Sequence, residues 1–254
     1  MSQSYNNKNM IKPYQKILIQ DCGEPLVPIS LEQFAVESPH AYQKLGAPYH
    51  LSGVDSPYYV RQEVLERLIN AQTQLQSNYP GWNILIFDAY RPVEVQQFMV
   101  DYTLAEILKA RELKPDLISL EQHQAILEEV YQFWAVPSLE PATPPPHSTG
   151  AAIDVTLVNN TGKIVDMGSP IDEISPRSYP NHFATSSHSE EQKYHQNRQI
   201  LAEVMILAGF QQHQNEWWHF SYGDQMWAGL TNQQENGNKS IAKYGRYSFI
   251  KSGS

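Results

Sequence analysis

Residues 145–158 read Pro-Pro-His-Ser-Thr-Gly-Ala-Ala-Ile-Asp-Val-Thr-Leu-Val. Ala151, Ala152, Ile153, Val155 and Leu157 have the apolar character of a strand buried in a sheet, and Asp154 falls among them. A carboxylate between Ile153 and Val155 is costly to bury unless it meets a metal or a cation. Gly150 lets the chain turn sharply just before the strand, and His147 precedes that turn. Taken alone, the segment fits equally well an Asp at a strand edge and a surface His behind a loop. The loop itself, residues 137–146, has five prolines in ten residues, which excludes helix and central strand. It reads as a stiff connection that delivers His147 into a site.

About 60 residues further on stands Glu216-Trp217-Trp218-His219-Phe220. Three large aromatics around two titratable groups exclude water, which raises a carboxyl pKa toward the range of a general base. The plainer alternative is a core His and a surface Glu on an aromatic edge strand. Together the two segments supply two imidazoles, a carboxylate and a spare glutamate. That is the inventory of a catalytic zinc site with an open position for water. The helical motif His-Glu-x-x-His is absent, so the ligands of such a site come from two distant segments. A third segment, Phe87-Asp88-Ala89-Tyr90-Arg91-Pro92, ends an apolar strand and precedes a helix. Arg91 there suits an oxyanion or a substrate carboxylate, or a structural ion pair with Asp88.

Apolar residues at helical spacing predict helices at about 59–76 and from Pro92 onward; a third is expected at about 120–134, and a fourth at 189–208 from Glu190 and Glu191 in its first turn and Gly209 just past its end. Strands are expected at 16–19, 83–88, 151–158, 164–166 and 217–221. Helices and strands segregate rather than alternate, which predicts an α+β fold with a mainly antiparallel sheet and flanking helices. The expected organisation is a disordered start at 1–15, one domain at 16–231 and a polar tail at 232–254.

Composition narrows the function further. The net charge is −9 and no basic run occurs, which argues against nucleic acid or an anionic membrane as partner. Cys22 is the single cysteine, beside Asp21 and Glu24, so disulfide, Cys-rich metal and thiolate chemistry are not expected. The polar N-terminus lacks an apolar export segment, and no stretch is long and apolar enough to span a bilayer. The expectation is a soluble cytoplasmic protein.

The three segments together resemble the D-alanyl-D-alanine dipeptidases, the VanX-type branch of the zinc D,D-peptidases, a family that shares its fold with the Hedgehog signalling domain. The family signature, Ser-x-His-x-x-Gly-x-Ala-x-Asp followed by Glu-x-x-His, is matched by His147, Gly150, Ala152 and Asp154, then by Glu216 and His219. Asp-Ala-Tyr-Arg-Pro at 88–92 and Met-Gly-Ser-Pro-Ile-Asp at 167–172 are similar to the dipeptidase branch in particular. The resemblance spans about residues 30–222. It implies one zinc per chain, held by His147, Asp154 and His219, with Glu216 as general base and Arg91 stabilising the oxyanion. It further implies that Asp172 holds the ammonium of a small dipeptide, joined by an N-terminal tyrosine, for which Tyr42 and Tyr49 are both candidates. The implied activity is hydrolysis of D-Ala-D-Ala, tied to peptidoglycan metabolism. The alternatives are a D,D-carboxypeptidase of peptidoglycan stem peptides and a non-catalytic zinc-stabilised binding module.

One position departs from the signature. Pro145 stands where the family usually has Ser, which removes a hydroxyl and bears on recognition of the substrate's C-terminal carboxylate. An insertion at about 111–146 adjoins the same wall. The other histidines, His40, His50, His123, His182, His188, His195 and His213, have no motif around them and read as surface or structural.

Overall fold

The computed structural model describes residues 12–52, 56–234 and 239–248. The segment read first is strand β5 (Ala152–Val158), and every one of its residues is buried. Strand β4 (Asn83–Asp88) runs antiparallel beside it, with Ile84 opposite Leu157 and Ile86 opposite Val155. On the other side β5 pairs antiparallel with β7 (His219–Ser221), which pairs antiparallel with β6 (Gln211–Gln212). Strand β2 (Ala35–Val36) lies parallel to β4, giving a five-stranded sheet in the order β2-β4-β5-β7-β6. A separate antiparallel pair joins β1 (Leu26–Pro28) to β3 (Tyr59–Arg61).

The two-residue period of β5 divides its side chains between the two faces of the sheet. Ile153, Val155 and Leu157 join Ile84, Ile86 and Phe220 in the main core. That core is completed by Val64, Leu68 and Leu75 of helix α2 (Gln62–Asn78) and by Leu201, Val204 and Met205 of α5 (Ser189–Leu207). Their spacing of three, four and seven residues makes one apolar stripe on each helix. Each such side chain, fully buried, contributes about 1.5–3 kcal/mol of transfer free energy. Asp154 and Thr156 point the other way. A second cluster gathers Tyr42 of α1 (Ala41–Lys44), Tyr49, Val95 and Met99 of α3 (Val93–Ala110), Val130 of α4 (Leu120–Val130), and Trp134, with Phe87 packed against it. The register of β4 against β5 shifts between Ile86 and Asp88. A bulge of this kind re-aims the side chain beyond it, and Asp88 receives the Tyr49 hydroxyl at 3.2 Å from the second cluster.

The α+β architecture is the one the sequence predicted, with differences at its margins. Helix α4 stops at Val130, short of 134, and residues 59–61 are strand before α2 begins. Between 16 and 19 there is only one isolated bridge, Ile19 to Ala242, and at 164–166 only the bridge from Ile164 to Val158. Of the start expected to be disordered, residues 1–11 lie outside the described residues, while Pro13–Lys16 form a 3₁₀ turn. That turn packs on α6 (Gln225–Gln234), whose Gln225 side chain donates to the carbonyls of Gln15, Ile17 and Ala142. Within the expected polar tail, Ala242 and Tyr244 are fully buried, because the segment crosses Ile19 and lays Tyr244 against Arg61.

Gly150 is required by this arrangement. Its φ is +72°, and a Cβ there would lie 2.2 Å from Leu26 Cδ2 on β1. Gly150→Ala is therefore expected to cost about 2–5 kcal/mol from left-handed strain and overpacking combined, read as a lower denaturant midpoint. An unchanged midpoint would show that the turn relaxes freely.

Candidate active site

Three strands bring the candidate residues into one row. In the β-sheet register Asp88 is opposite Asp154, and Asp154 is opposite His219. His147 reaches the row from the 3₁₀ turn Pro146–Thr149, which Gly150 ends in the left-handed conformation. Arg61 holds that turn: its backbone N–H donates to Gly150 O at 2.8 Å and its Nε to Thr149 O at 2.7 Å. The same guanidinium donates to Gly245 O, tying the turn to the C-terminal segment.

His147 Nε2, Asp154 and His219 Nδ1 converge. His147 Nε2 is 3.1 Å from His219 Nδ1 and 3.3 Å from Asp154 Oδ2, and His219 Nδ1 is 3.0 Å from Asp154 Oδ1. Three ligands of a tetrahedral zinc with bonds of about 2.0–2.1 Å would stand about 3.3 Å apart. The tautomers point the same way. His147 Nδ1 donates to Ala89 O at 2.7 Å, which leaves Nε2 as a lone pair. His219 Nε2 lies 3.5 Å from Ser221 Oγ, whose hydroxyl donates to Asp224 Oδ2, so the second ring also turns its lone pair inward. Two imidazole lone pairs and a carboxylate facing one another are mutually repulsive unless a cation sits between them. Burial lowers the His219 pKa, keeping the ring neutral as a ligand must be. In the metal-free protein burial would raise the Asp154 carboxyl, but the two histidines, when they carry a proton toward it, hold it well below the usual carboxylate range. The donor set fits a divalent metal.

Arg91 stands at the end of the row. Its Nη2 lies 2.6 Å from Asp88 Oδ2 and 3.1 Å from Asp154 Oδ2, and its Nη1 donates to Gln96 Oε1 at 2.9 Å. The ion pair with Asp88 raised from the sequence is thus present, and Arg91 faces the cavity as well. Tyr42 and Tyr49 are told apart by their hydroxyls. Tyr42 donates to Asp172 Oδ2 at 2.8 Å and accepts from Arg91 Nη2 at 3.3 Å, whereas Tyr49 donates to Asp88. Asp172 adopts φ +66°, a left-handed conformation that presents its carboxylate to Tyr42. Glu216 Oε2 is 3.7 Å from His219 Nδ1, and burial, then repulsion from Asp154, raises its pKa well above the ordinary value.

All six sequence-predicted residues, Arg91, His147, Asp154, Asp172, Glu216 and His219, line one narrow cavity of about 40 Å³. Sequence reasoning missed Lys12, Tyr14, Gln96, Trp134 and Met226, which line it too. Phe133, Trp134 and Ala135 come from the insertion at 111–146, which therefore builds one wall. His213, read as surface or structural, also faces the cavity, with its ring 5.5 Å from that of His219. Its spacing of three residues before Glu216 was the available signal. Cys22 is exposed and free, and among the described residues no helix is long and apolar enough to cross a membrane.

A buried two-His, one-carboxylate cluster with a glutamate and an arginine at its rim is the equipment of a peptidase. Residues 37–239 match the family model described as D-ala-D-ala dipeptidase, and the chain belongs to that family. It is 49% identical over 242 residues to a D-alanyl-D-alanine dipeptidase of Synechocystis sp., covering 93% of this chain and 97% of that protein. A D-alanyl-D-alanine dipeptidase of Enterococcus faecalis is 30% identical over 155 residues, covering 61% of this chain and 69% of that one. Among solved structures, VanYB in complex with D-alanine-D-alanine aligns with a TM-score of 0.41 at 18% identity, covering 69% of this chain and 78% of that chain.

Asp172 gives the site a measurable signature. Burial, reinforced by repulsion from Asp154, lifts its pKa from 3.8 to about 7. A carboxyl raised in the folded state binds its proton more tightly there than in the unfolded chain. Its contribution is therefore most favourable below 3.8 and is lost as pH rises to about 7. In metal-free protein, Asp172→Asn is expected to gain stability relative to wild type across that window, measured by denaturant titration at a series of pH values. Parallel pH profiles for the two proteins would contradict the shift.

Proposed function

We propose that the protein is a zinc-dependent dipeptidase that hydrolyses D-Ala-D-Ala to two D-alanines, with one zinc held by His147, Asp154 and His219. The observation that carries this reading is the shared cavity: Asp172, which accepts from the Tyr42 hydroxyl, opens onto the same space as the His-Asp-His cluster and Glu216. A carboxylate fixed by a tyrosine hydroxyl beside a hydrolytic cluster selects a substrate whose ammonium lies one residue from the bond to be cut.

Bound zinc supplies a Lewis acid that polarises the peptide carbonyl and lowers the pKa of the attacking water. Glu216 takes a proton from that water as it attacks and returns it to the departing nitrogen. Its raised pKa suits both halves of the task, since a base that is too weakly basic would not hold the proton between them. Arg91 is fixed by Asp88 and Gln96 and directs a guanidinium edge into the cavity, where it stabilises the developing oxyanion. Asp172 and Tyr42 hold the substrate ammonium. Trp134, Phe133 and Trp218 limit water around the reacting atoms.

Two variants separate metal binding from catalysis. His219→Ala is expected to lose both bound zinc and activity, whereas Glu216→Ala keeps its zinc and loses a factor of about 10²–10⁴ in rate. Metal analysis alongside kcat checks both, and full zinc occupancy in His219→Ala would sink the ligand assignment.

Substrate length is tested with N-acetyl-D-Ala-D-Ala. Acetylation removes the ammonium and leaves Asp172 facing an amide, a loss of about 1.5–3 kcal/mol for a charged hydrogen bond. Its kcat/KM is expected to fall at least tenfold below that of the free dipeptide. Equal or faster cleavage of the acetylated compound would move the assignment to a D,D-carboxypeptidase of stem peptides.

A further inference from the structure

The cavity is charged asymmetrically, and one of its charges belongs to no motif. Asp172 stands at one end with the Tyr42 hydroxyl, and Lys12 lines the cavity near Glu216 and His213. Lys12 is placed firmly. Its backbone N–H donates to Gln15 Oε1 at 2.8 Å, and the turn it opens is clamped to α6 by the two hydrogen bonds that Gln225 donates to Gln15 O and Ile17 O. A Cβ on Gly229 of α6 would lie 2.8 Å from Tyr14 Cβ, so helix and turn are in close contact. The Lys12 ammonium forms no ion pair within 4.0 Å with a carboxylate among the described residues. It also lines a second cavity of about 380 Å³, shared with Tyr131, His213 and Asn215, and so stands at the boundary between the two.

The order of groups along a dipeptide fixes which end meets which charge. From the ammonium the chain runs to the scissile carbonyl, then to the departing nitrogen, then to the terminal carboxylate. If Asp172 holds the ammonium and Glu216 protonates the departing nitrogen, the carboxylate lies beyond Glu216. Lys12 lines the cavity on that side: its charge acts on Glu216 and His213 and is not among those acting on Asp172. The usual signature residue at 145 would offer a hydroxyl, but Pro145 offers neither a hydroxyl nor an N–H.

We propose that Lys12 is a specificity-determining residue that pairs with the C-terminal carboxylate of the substrate and closes the cavity to chains that extend beyond it. The inference rests on the dipeptidase reading above. Burial lowers the Lys12 pKa and the more distant Glu216 carboxylate opposes that shift; an ammonium held there, with no described carboxylate within 4.0 Å, attracts a substrate carboxylate more strongly than one in open water, because solvent screens it less. A lysine also acts as a point charge on a flexible stem, suited to a small carboxylate whose orientation is already set from the other end.

The test compares D-Ala-D-Ala with D-alanyl-D-alaninamide, which lacks only the terminal charge, in zinc-loaded wild type, Lys12→Met and Lys12→Arg. Wild type is expected to prefer the free acid at least tenfold. Lys12→Met should raise KM for the acid by roughly ten- to hundredfold with kcat within a few-fold, and leave the amide almost unchanged. Lys12→Arg should keep most of the preference. Calorimetric binding of D-Ala-D-Ala to the zinc-loaded Glu216→Gln protein should weaken by a similar factor when Lys12→Met is added. Equal losses on acid and amide, or a wild type indifferent to the amide, would overturn the role of Lys12 while leaving the dipeptidase reading intact. Failure of wild type to cleave D-Ala-D-Ala, or its preference for the N-acetyl form, would overturn both. Should Lys12→Met melt far below wild type, Lys12→Gln replaces it with the same expected narrowing of the acid-to-amide ratio, and an unchanged ratio there counts against the proposal.

Discussion

Two carboxylates, Asp88 and Asp154, sit side by side on neighbouring strands with almost no solvent contact, and the surrounding structure is organised to make that tolerable. Burying one unpaired carboxylate costs several kcal/mol, and two at adjacent positions repel as well. Arg91 answers both, with contacts of 2.6 Å to Asp88 and 3.1 Å to Asp154. His40 lies 3.2 Å from the far oxygen of Asp88, and the two other imidazoles converge on Asp154. Much of the second core cluster then serves as packing for this charged row. Tyr42 and Trp134 lie against the Arg91 guanidinium at 5.1 and 4.9 Å from their ring centres. They shield it from water without removing its charge.

The same row explains why the site is placed at this end of the sheet. Antiparallel pairing puts opposed residues about 5 Å apart, close enough for side chains on three strands to meet at one point. The bulge at Asp88 and the left-handed turn at Gly150 each bend the chain at the end of this row. One redirects Asp88, and the other brings His147 back over the sheet. Neither would survive as regular strand. The precision of the cluster therefore depends on irregular backbone held by regular neighbours, with Arg61 as the clamp between them.

Around that centre the cavity is built from pieces far apart in the chain. The insertion contributes Phe133, Trp134 and Ala135, and Gln96 ties it to α3 by donating to Ala135 O at 2.8 Å. The N-terminal turn contributes Lys12 and Tyr14, held by α6. Both segments lie beside the His147–Asp154–His219 cluster and Glu216. They shape what reaches those groups and leave the charged row itself unchanged.

Much of this was legible in the sequence because the signals were local. The short apolar run around Asp154, bounded by Gly150, read as the buried strand β5, and the segregation of helices from strands along the chain gave the α+β class. The apolar stripe expected at 59–76 declared α2, and the acidic first turn at Glu190 and Glu191 with Gly209 past the end declared α5, expected at 189–208. The spacings from His147 to Asp154 and from Glu216 to His219 announced metal-type chemistry before any contact was known. The strands of two or three residues, β1, β2, β6 and β7, carry too few positions for a period to show, and only their partners define them. Tertiary structure alone separated Tyr42 from Tyr49, since both are buried aromatics near the same arginine and only their hydroxyl partners differ. It alone placed Lys12, His213 and Trp134 at the cavity. A lone lysine in a polar stretch, a histidine without a motif and a tryptophan after a helix acquire chemical meaning through distance in space, and sequence separation says nothing about that distance.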